Sequence, residues 1–161
     1  MKILISDKMS NKVEEVLKSK SIDFDIKTGL EPNELKSIID NYDGILIRSA
    51  TKLTADILED CSNLKVIGRA GVGVDNVDID VATKKKILVM NTPLGNLEAT
   101  AELTVGLMFS LYRHIHIANA STHMGKWEKA KFIGTELKGK TLGIVGFGNI
   151  GQRVAEICKV I

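Results

Sequence analysis

The stretch from Thr141 to Gly151, Thr-Leu-Gly-Ile-Val-Gly-Phe-Gly-Asn-Ile-Gly, constrains this chain more than any other. An apolar run leads into Gly146, Gly148 and Gly151, which match G-x-G-x-x-G in the strand, turn and helix setting that gives the pattern meaning. Gly146 permits a tight turn, Gly148 lets a pyrophosphate approach the backbone, and Gly151 lets the helix pack close to the strand. The free N–H groups of the helix start would then face the phosphates. The acidic residue that completes such a site at the ribose is expected about 20 residues further on, beyond Ile161.

The composition is that of a globular protein: 44% of the 161 residues are apolar, 26% are charged, and the formal net charge of +2 is spread along the chain. There is no basic stripe of the kind a nucleic-acid binder carries. Lys84-Lys85-Lys86, the one basic run, suits the solvated end of a helix. Cys61 and Cys158 fit no metal spacing, and Glu59-Asp60 beside Cys61 should raise its thiol pKa. Inert thiols in a reducing compartment are expected, which points to the cytoplasm. Met1-Lys2-Ile3-Leu4 runs directly into a strand, so no signal peptide is expected, and the apolar stretch Leu103–Leu111 is too short to span a bilayer.

Strand-like and helix-like runs alternate. Strands are expected at Ile3–Ser6, Ile22–Ile26, Gly44–Ile47, Lys65–Gly68 and Ile87–Met90. Between them, helices are expected from a Ser10 cap to Lys20, from Pro32 to Ile39, from a Thr54 cap to Glu59, and from Asp78 or Asp80 to Lys85. This rhythm implies an α/β fold with a parallel sheet covered by helices and right-handed crossovers, a compact flavodoxin-like unit. The pattern changes after Asn91-Thr92-Pro93. One long helix is expected over residues 97–121, then a loop from Gly125 to Gly139 containing Trp127, then the strand of the glycine fingerprint. The domains are placed at residues 1–94 and 95–161.

Ligands of open parallel sheets sit beyond the carboxyl ends of the strands. Arg48 and Arg69 stand at two such ends, and Arg69 enters the glycine-rich turn Ala70-Gly71-Val72-Gly73. Exposed N–H groups and a guanidinium together suit a carboxylate or phosphate. Strand-end arginines also commonly form structural ion pairs, and the residues alone leave both readings open. Asn91 and Asn96 flank the crossing between the domains, and Asn96 can donate its amide to a substrate oxygen or serve as a turn or cap residue. Glu102 can orient a partner or simply favour the helix dipole. His114 and His116 differ by two and face different sides of a helix, so they cannot share a metal. With His123 they are expected to be structural or exposed, and no metal site is expected.

The ordered set Arg48-Ser49-Ala50-Thr51-Lys52-Leu53-Thr54, Gly68 to Asp78, Val89 to Pro93, Ala101-Glu102-Leu103-Thr104, Gly125-Lys126-Trp127, Gly134 to Thr141 and the glycine fingerprint resembles the D-isomer-specific 2-hydroxyacid dehydrogenases over nearly the whole chain. The resemblance implies a flavodoxin-like substrate domain followed by the first part of a Rossmann NAD-binding domain. It implies oxidation of a small anionic substrate, 3-phosphoglycerate, held by Arg48, Ser49, Arg69, Gly71, Val72 and Asn96. NAD would meet Val72, Gly146, Gly148, Asn149, Ile150 and Gly151. The helix over 97–121 would pair two copies into a dimer or higher oligomer. The family's catalytic arginine, glutamate and histidine lie beyond residue 161, so no catalytic residue is assigned and the 161 residues alone are expected to be inactive. Leu94 and Leu97 replace residues that are usually small or polar in the family. A glycerate, glyoxylate or lactate dehydrogenase of the same family, a non-catalytic dinucleotide-binding protein, and a fragment that only dimerises are the alternatives.

Overall fold

The computed structural model describes residues 1–161. The chain divides into two compact units, Met1–Gly95 and Asn96–Ile161. No helix is long and apolar enough to cross a membrane.

The first unit alternates strand and helix: β1 (Lys2–Ile5), α1 (Asn11–Ser19), β2 (Asp23–Ile26), α2 (Pro32–Ile38), β3 (Gly44–Ile47), α3 (Ala55–Leu58), β4 (Val66–Arg69), α4 (Ile79–Lys84) and β5 (Leu88–Asn91). All strand pairs are parallel, in the order β2-β1-β3-β4-β5. That is the flavodoxin-like order, whose reversal lies between β1 and β3. Side chains alternate across the sheet. Leu4, Ile45, Ile47 and Ile67 point to one face and join Leu35, Ile39, Ile57, Leu58 and Ala82 of the helices in the main core. Ile3 and Ile5 alternate to the other face and are also buried, as is Leu17 of α1.

Local chemistry sets the helix ends. The Ser10 hydroxyl accepts from the Lys12 N–H and the Asp78 carboxylate from the Val81 N–H. Pro32 opens α2 at a position where its missing N–H costs nothing. Thr54 precedes α3 as expected, but its side chain makes no capping bond.

The second unit comprises α5 (Leu97–Tyr112), α6 (Ile115–His123) and α7 (Asn149–Cys158). Ala101 and Val105 of α5 pack with Val154 of α7, flanked by Met108, Phe109, Ile144, Ile150 and Ile157. Glu98 and Arg153 join the same two helices by a 2.9 Å ion pair. The single helix expected over 97–121 is two helices. His114 takes a left-handed conformation at φ 55°, and the carbonyl of Tyr112, released at the break, accepts the Thr135 N–H at 2.9 Å. The strand expected from Thr141 does not form either. The segment is bonded to no other strand, and backbone N–H and C=O groups without a ladder partner are left to water.

Candidate anion and dinucleotide sites

The carboxyl ends of β1, β3, β4 and β5 share one edge of the first unit. Ile47 lies opposite Arg69, and Arg69 opposite Asn91. Arg48, one residue past β3, and Arg69, closing β4, therefore come from adjacent strands about 5 Å apart.

Arg69 is a largely buried cation, its side chain only 12% exposed. Its Nε donates to Asn76 Oδ1 at 3.1 Å. Its nearest carboxylate, Asp75, is 3.9 Å from Nη2 and almost wholly solvated. An ion pair of that length and exposure contributes little, whereas burying a guanidinium calls for strong partners. Arg48 pairs with no carboxylate at all; its Nη1 donates to the Lys8 carbonyl at 3.3 Å. The ion-pair reading of these arginines thus has weak support at Arg69 and none at Arg48.

Two loops carry the arginines, and both are tied down. The buried Asp7 carboxylate, just past β1, accepts from the Arg48 N–H at 2.5 Å, the Thr51 N–H at 3.2 Å and the Thr51 hydroxyl at 3.0 Å. Thr51 Oγ1 also meets Ser6 Oγ at 2.9 Å. Between those anchors Ser49 is exposed, and the N–H groups of Ser49 and Ala50 donate to no protein atom. The second loop is stitched to both neighbouring strands. The Ala70 N–H bonds Ile47 O at 2.8 Å, the Thr92 N–H bonds Gly71 O at 2.9 Å, and Asn91 Nδ2 donates to Val72 O at 2.6 Å. A Cβ on Gly71 would lie 2.1 Å from Arg69 Nη1. The guanidinium thus lies directly over a bare Cα, which is why a glycine follows this arginine at two residues' distance. Free N–H groups beside two cations form a concavity suited to an anion.

In the second unit the glycine fingerprint forms the turn and helix start expected of it. Gly146 has φ +90°, a region side chains avoid. The first α7 bond runs from the Gln152 N–H to Gly148 O at 2.9 Å, which leaves the N–H groups of Asn149, Ile150 and Gly151 without intrahelical partners. A Cβ on Gly148 would meet nothing within 4 Å, whereas one on Gly151 would lie 2.3 Å from the Gly146 carbonyl oxygen. Gly148 borders open space beside free donors, and Gly151 is the close-packing position. These residues fit a pyrophosphate group.

Arg48, Ser49, Arg69, Gly71 and Val72 gather on one edge of the first unit; Asn96 belongs to the second with the fingerprint glycines. Asn96 precedes α5 and is exposed, with no side-chain capping bond. Glu102 is exposed. No histidine bonds a carboxylate; His123 Nδ1 meets the Asn119 carbonyl at 2.9 Å. No three of the histidines, cysteines and carboxylates cluster as metal ligands. The Cys61 thiol is pushed up in pKa, but burial is the leading cause and Asp40 the next, with Asp60 contributing least.

Residues 3–155 match the family model of the D-isomer specific 2-hydroxyacid dehydrogenase catalytic domain. The chain belongs to this family. It is 42% identical over its whole length to a D-3-phosphoglycerate dehydrogenase of Archaeoglobus fulgidus, of which it spans 31%. It is 49% identical over 154 residues, 96% of the chain, to the human enzyme of that name, of which it spans 29%. Among solved structures, an NAD+-bound 3-phosphoglycerate dehydrogenase of Entamoeba histolytica is 34% identical with a TM-score of 0.77, over 99% of this chain and 51% of that one. The chain therefore spans under a third of the length of these curated relatives.

Sequence reasoning missed Asp7 and Asn76. Asn76 lies within the Gly68–Asp78 stretch but reads there as a turn residue, Asp7 stands in no motif, and their partners come from other elements of the fold.

Proposed function

We propose that this chain supplies the anion-binding unit and the start of the dinucleotide-binding unit of an NAD-dependent dehydrogenase acting on 3-phosphoglycerate. The observation that carries the reading is Arg69, a largely buried guanidinium without a strong anionic partner, on the strand next to the one that leads to Arg48. A substrate with a carboxylate and a phosphate offers the charge that both arginines lack. Bidentate guanidinium–carboxylate or –phosphate bonds fix orientation as well as adding binding energy. Ser49, the free N–H groups beside it, Gly71 and Val72 complete the lining. The names of the relatives support the choice of substrate.

The glycine turn would hold a nicotinamide dinucleotide, which would supply hydride chemistry at C2 of a 2-hydroxyacid. The chain's own contribution to it is the Gly148 opening and the free N–H groups of Asn149, Ile150 and Gly151. Residues 1–94 are the substrate domain and 95–161 the start of the NAD domain. The exposed Leu103, Leu107 and Leu111 on α5 form a face through which two copies associate.

The test is a turnover assay on the protein that carries this chain, with NAD and 3-phosphoglycerate set against glycerate, lactate and glyoxylate. A kcat/KM highest for 3-phosphoglycerate by at least tenfold is expected. Equal or better turnover of an unphosphorylated acid would refute the substrate assignment in favour of the wider family.

A further inference from the structure

Asn76 sits in the turn that follows Gly71-Val72-Gly73, and its side chain places three of the four hydrogen bonds an amide can make on the two arginine-bearing loops. Its Oδ1 accepts from Arg69 Nε at 3.1 Å. Its Nδ2 donates to the carbonyl of Arg48 at 2.7 Å and to the carbonyl of Thr51 at 2.6 Å. Both amide N–H donors and one of the oxygen's two lone pairs are thereby engaged. The amide's orientation is dictated too, because the reverse placement would set an NH2 against a guanidinium and an oxygen against two carbonyls.

The same two residues, Arg48 and Thr51, give their N–H groups to Asp7. The loop is thus held from one side by a carboxylate that takes its N–H groups and from the other by an amide that takes its C=O groups. Ser49 and Ala50 stay free between the anchors. The turn containing Asn76 is itself fixed, since Leu53 N–H bonds Asn76 O at 2.8 Å and Asp78 N–H bonds Leu53 O at 2.8 Å, a bridge that sets Leu53 beside Val77. Only Asn76 bonds both loops through one side chain.

We propose that Asn76 is a positioning residue that locks the Arg48–Thr51 loop and the Arg69 guanidinium into one frame. It touches no reacting atom; it acts through both arginines. The inference rests on the reading of this edge as the anion site. Asn76→Asp is nearly isosteric, keeps an acceptor for Arg69, and replaces the donor to the two carbonyls with a second oxygen that repels them. Asn76→Ala removes all three bonds.

The test uses the full-length protein that carries this chain. Steady-state kinetics with 3-phosphoglycerate are measured for the unsubstituted protein, Asn76→Asp, Asn76→Ala and Arg69→Ala. Asn76→Asp and Asn76→Ala are expected to raise KM roughly tenfold or more, as loss of bonds that hold a charged group does, while kcat changes by less than about threefold. A merely structural role would lower the folded fraction and so kcat, with KM unmoved, and that pattern overturns the proposal. If Arg69→Ala raises KM and the Asn76 variants do not, the positioning role fails while the anion site stands. If Arg69→Ala itself has no effect on KM, the anion-site reading fails. A measurement on the unsubstituted protein covers the case in which a variant does not fold: NMR signals of Arg69 Nε–H and Asn76 Nδ2–H2 should exchange with water at least tenfold more slowly than exposed arginine and asparagine side chains. Exchange as fast as those of exposed side chains overturns the proposal.

Discussion

Gly71→Ala should weaken both folding and binding at this site. The added Cβ would lie 2.1 Å from Arg69 Nη1 and 2.8 Å from Cζ. Ordinary contact begins near 3.4 Å, so the guanidinium must retreat by more than 1 Å. The 3.1 Å bond from Arg69 Nε to Asn76 has only a few tenths of an ångström of slack before it is lost. The backbone itself accepts alanine, because Gly71 is not among the glycines with positive φ. Losing one hydrogen bond from a charged group costs about 1.5–3 kcal/mol, and replacing glycine with alanine at a compatible backbone position returns about 0.4–1 kcal/mol through the unfolded state. Net stability should therefore fall by about 0.5–2.6 kcal/mol. Binding should fall as well, because a displaced guanidinium forfeits a charge-assisted bond to the ligand worth about 1.5–3 kcal/mol, a loss of roughly tenfold to a hundredfold in affinity. Urea unfolding reads the first quantity and calorimetric titration with 3-phosphoglycerate the second. A stability loss above about 3 kcal/mol, or an unchanged dissociation constant, would refute the reasoning.

Two glycines of the fingerprint should respond in opposite ways. Gly148→Ala, whose Cβ meets nothing within 4 Å, should leave the melting temperature unchanged and abolish dinucleotide binding, whereas Gly151→Ala, pressed against the Gly146 carbonyl, should destabilise by about 1–3 kcal/mol; fluorescence titration with NADH and thermal melts check both. Asp40 accepts from the Asn63 N–H and from the Ser62 N–H and hydroxyl, and these bonds, the Asn63 one foremost, hold its pKa below the usual carboxylate value. Its stabilisation is thus present above about pH 4 and lost as pH falls through the depressed folded value; Asp40→Ala should be less stable than the unsubstituted protein at pH 7, with the gap narrowing below pH 4 in urea melts.

The five strands and four helices of the first unit were legible because each carries its own signal. Gly44–Ile47 is a short apolar run bounded by turn residues, and Ser10, Pro32 and Asp78 mark helix starts locally. Strand ends at β4 and β5 moved by only a residue, as boundaries set by pairing do. The break at His114 was not legible: no glycine or proline marks it, and the bond beside it comes from Thr135, more than twenty positions along the chain. The apolar run after Thr141 reads as a strand by composition, yet a strand exists only when a neighbour pairs with it. The arginines could be found because a cation after an apolar strand stands out. Asn76 could not, since an asparagine beside Asp75 in a glycine-rich stretch reads as a turn former, and its partners Arg48 and Thr51 come close only through the β3–β4 register. Asp7 was hidden for the same reason.

Arg48 and Arg69, on adjacent strand ends, are proposed to form one site for a doubly anionic small molecule. Calorimetric titration of 3-phosphoglycerate and of unphosphorylated glycerate into the full-length protein, its Arg48→Ala and Arg69→Ala forms and the double variant tests it directly. The phosphorylated ligand should bind tighter by at least about tenfold, each single variant should lose that preference, and the double variant should be little worse than the poorer single one, as coupled residues show. Equal affinity for both ligands, or phosphoglycerate binding that survives removal of both arginines, would contradict it.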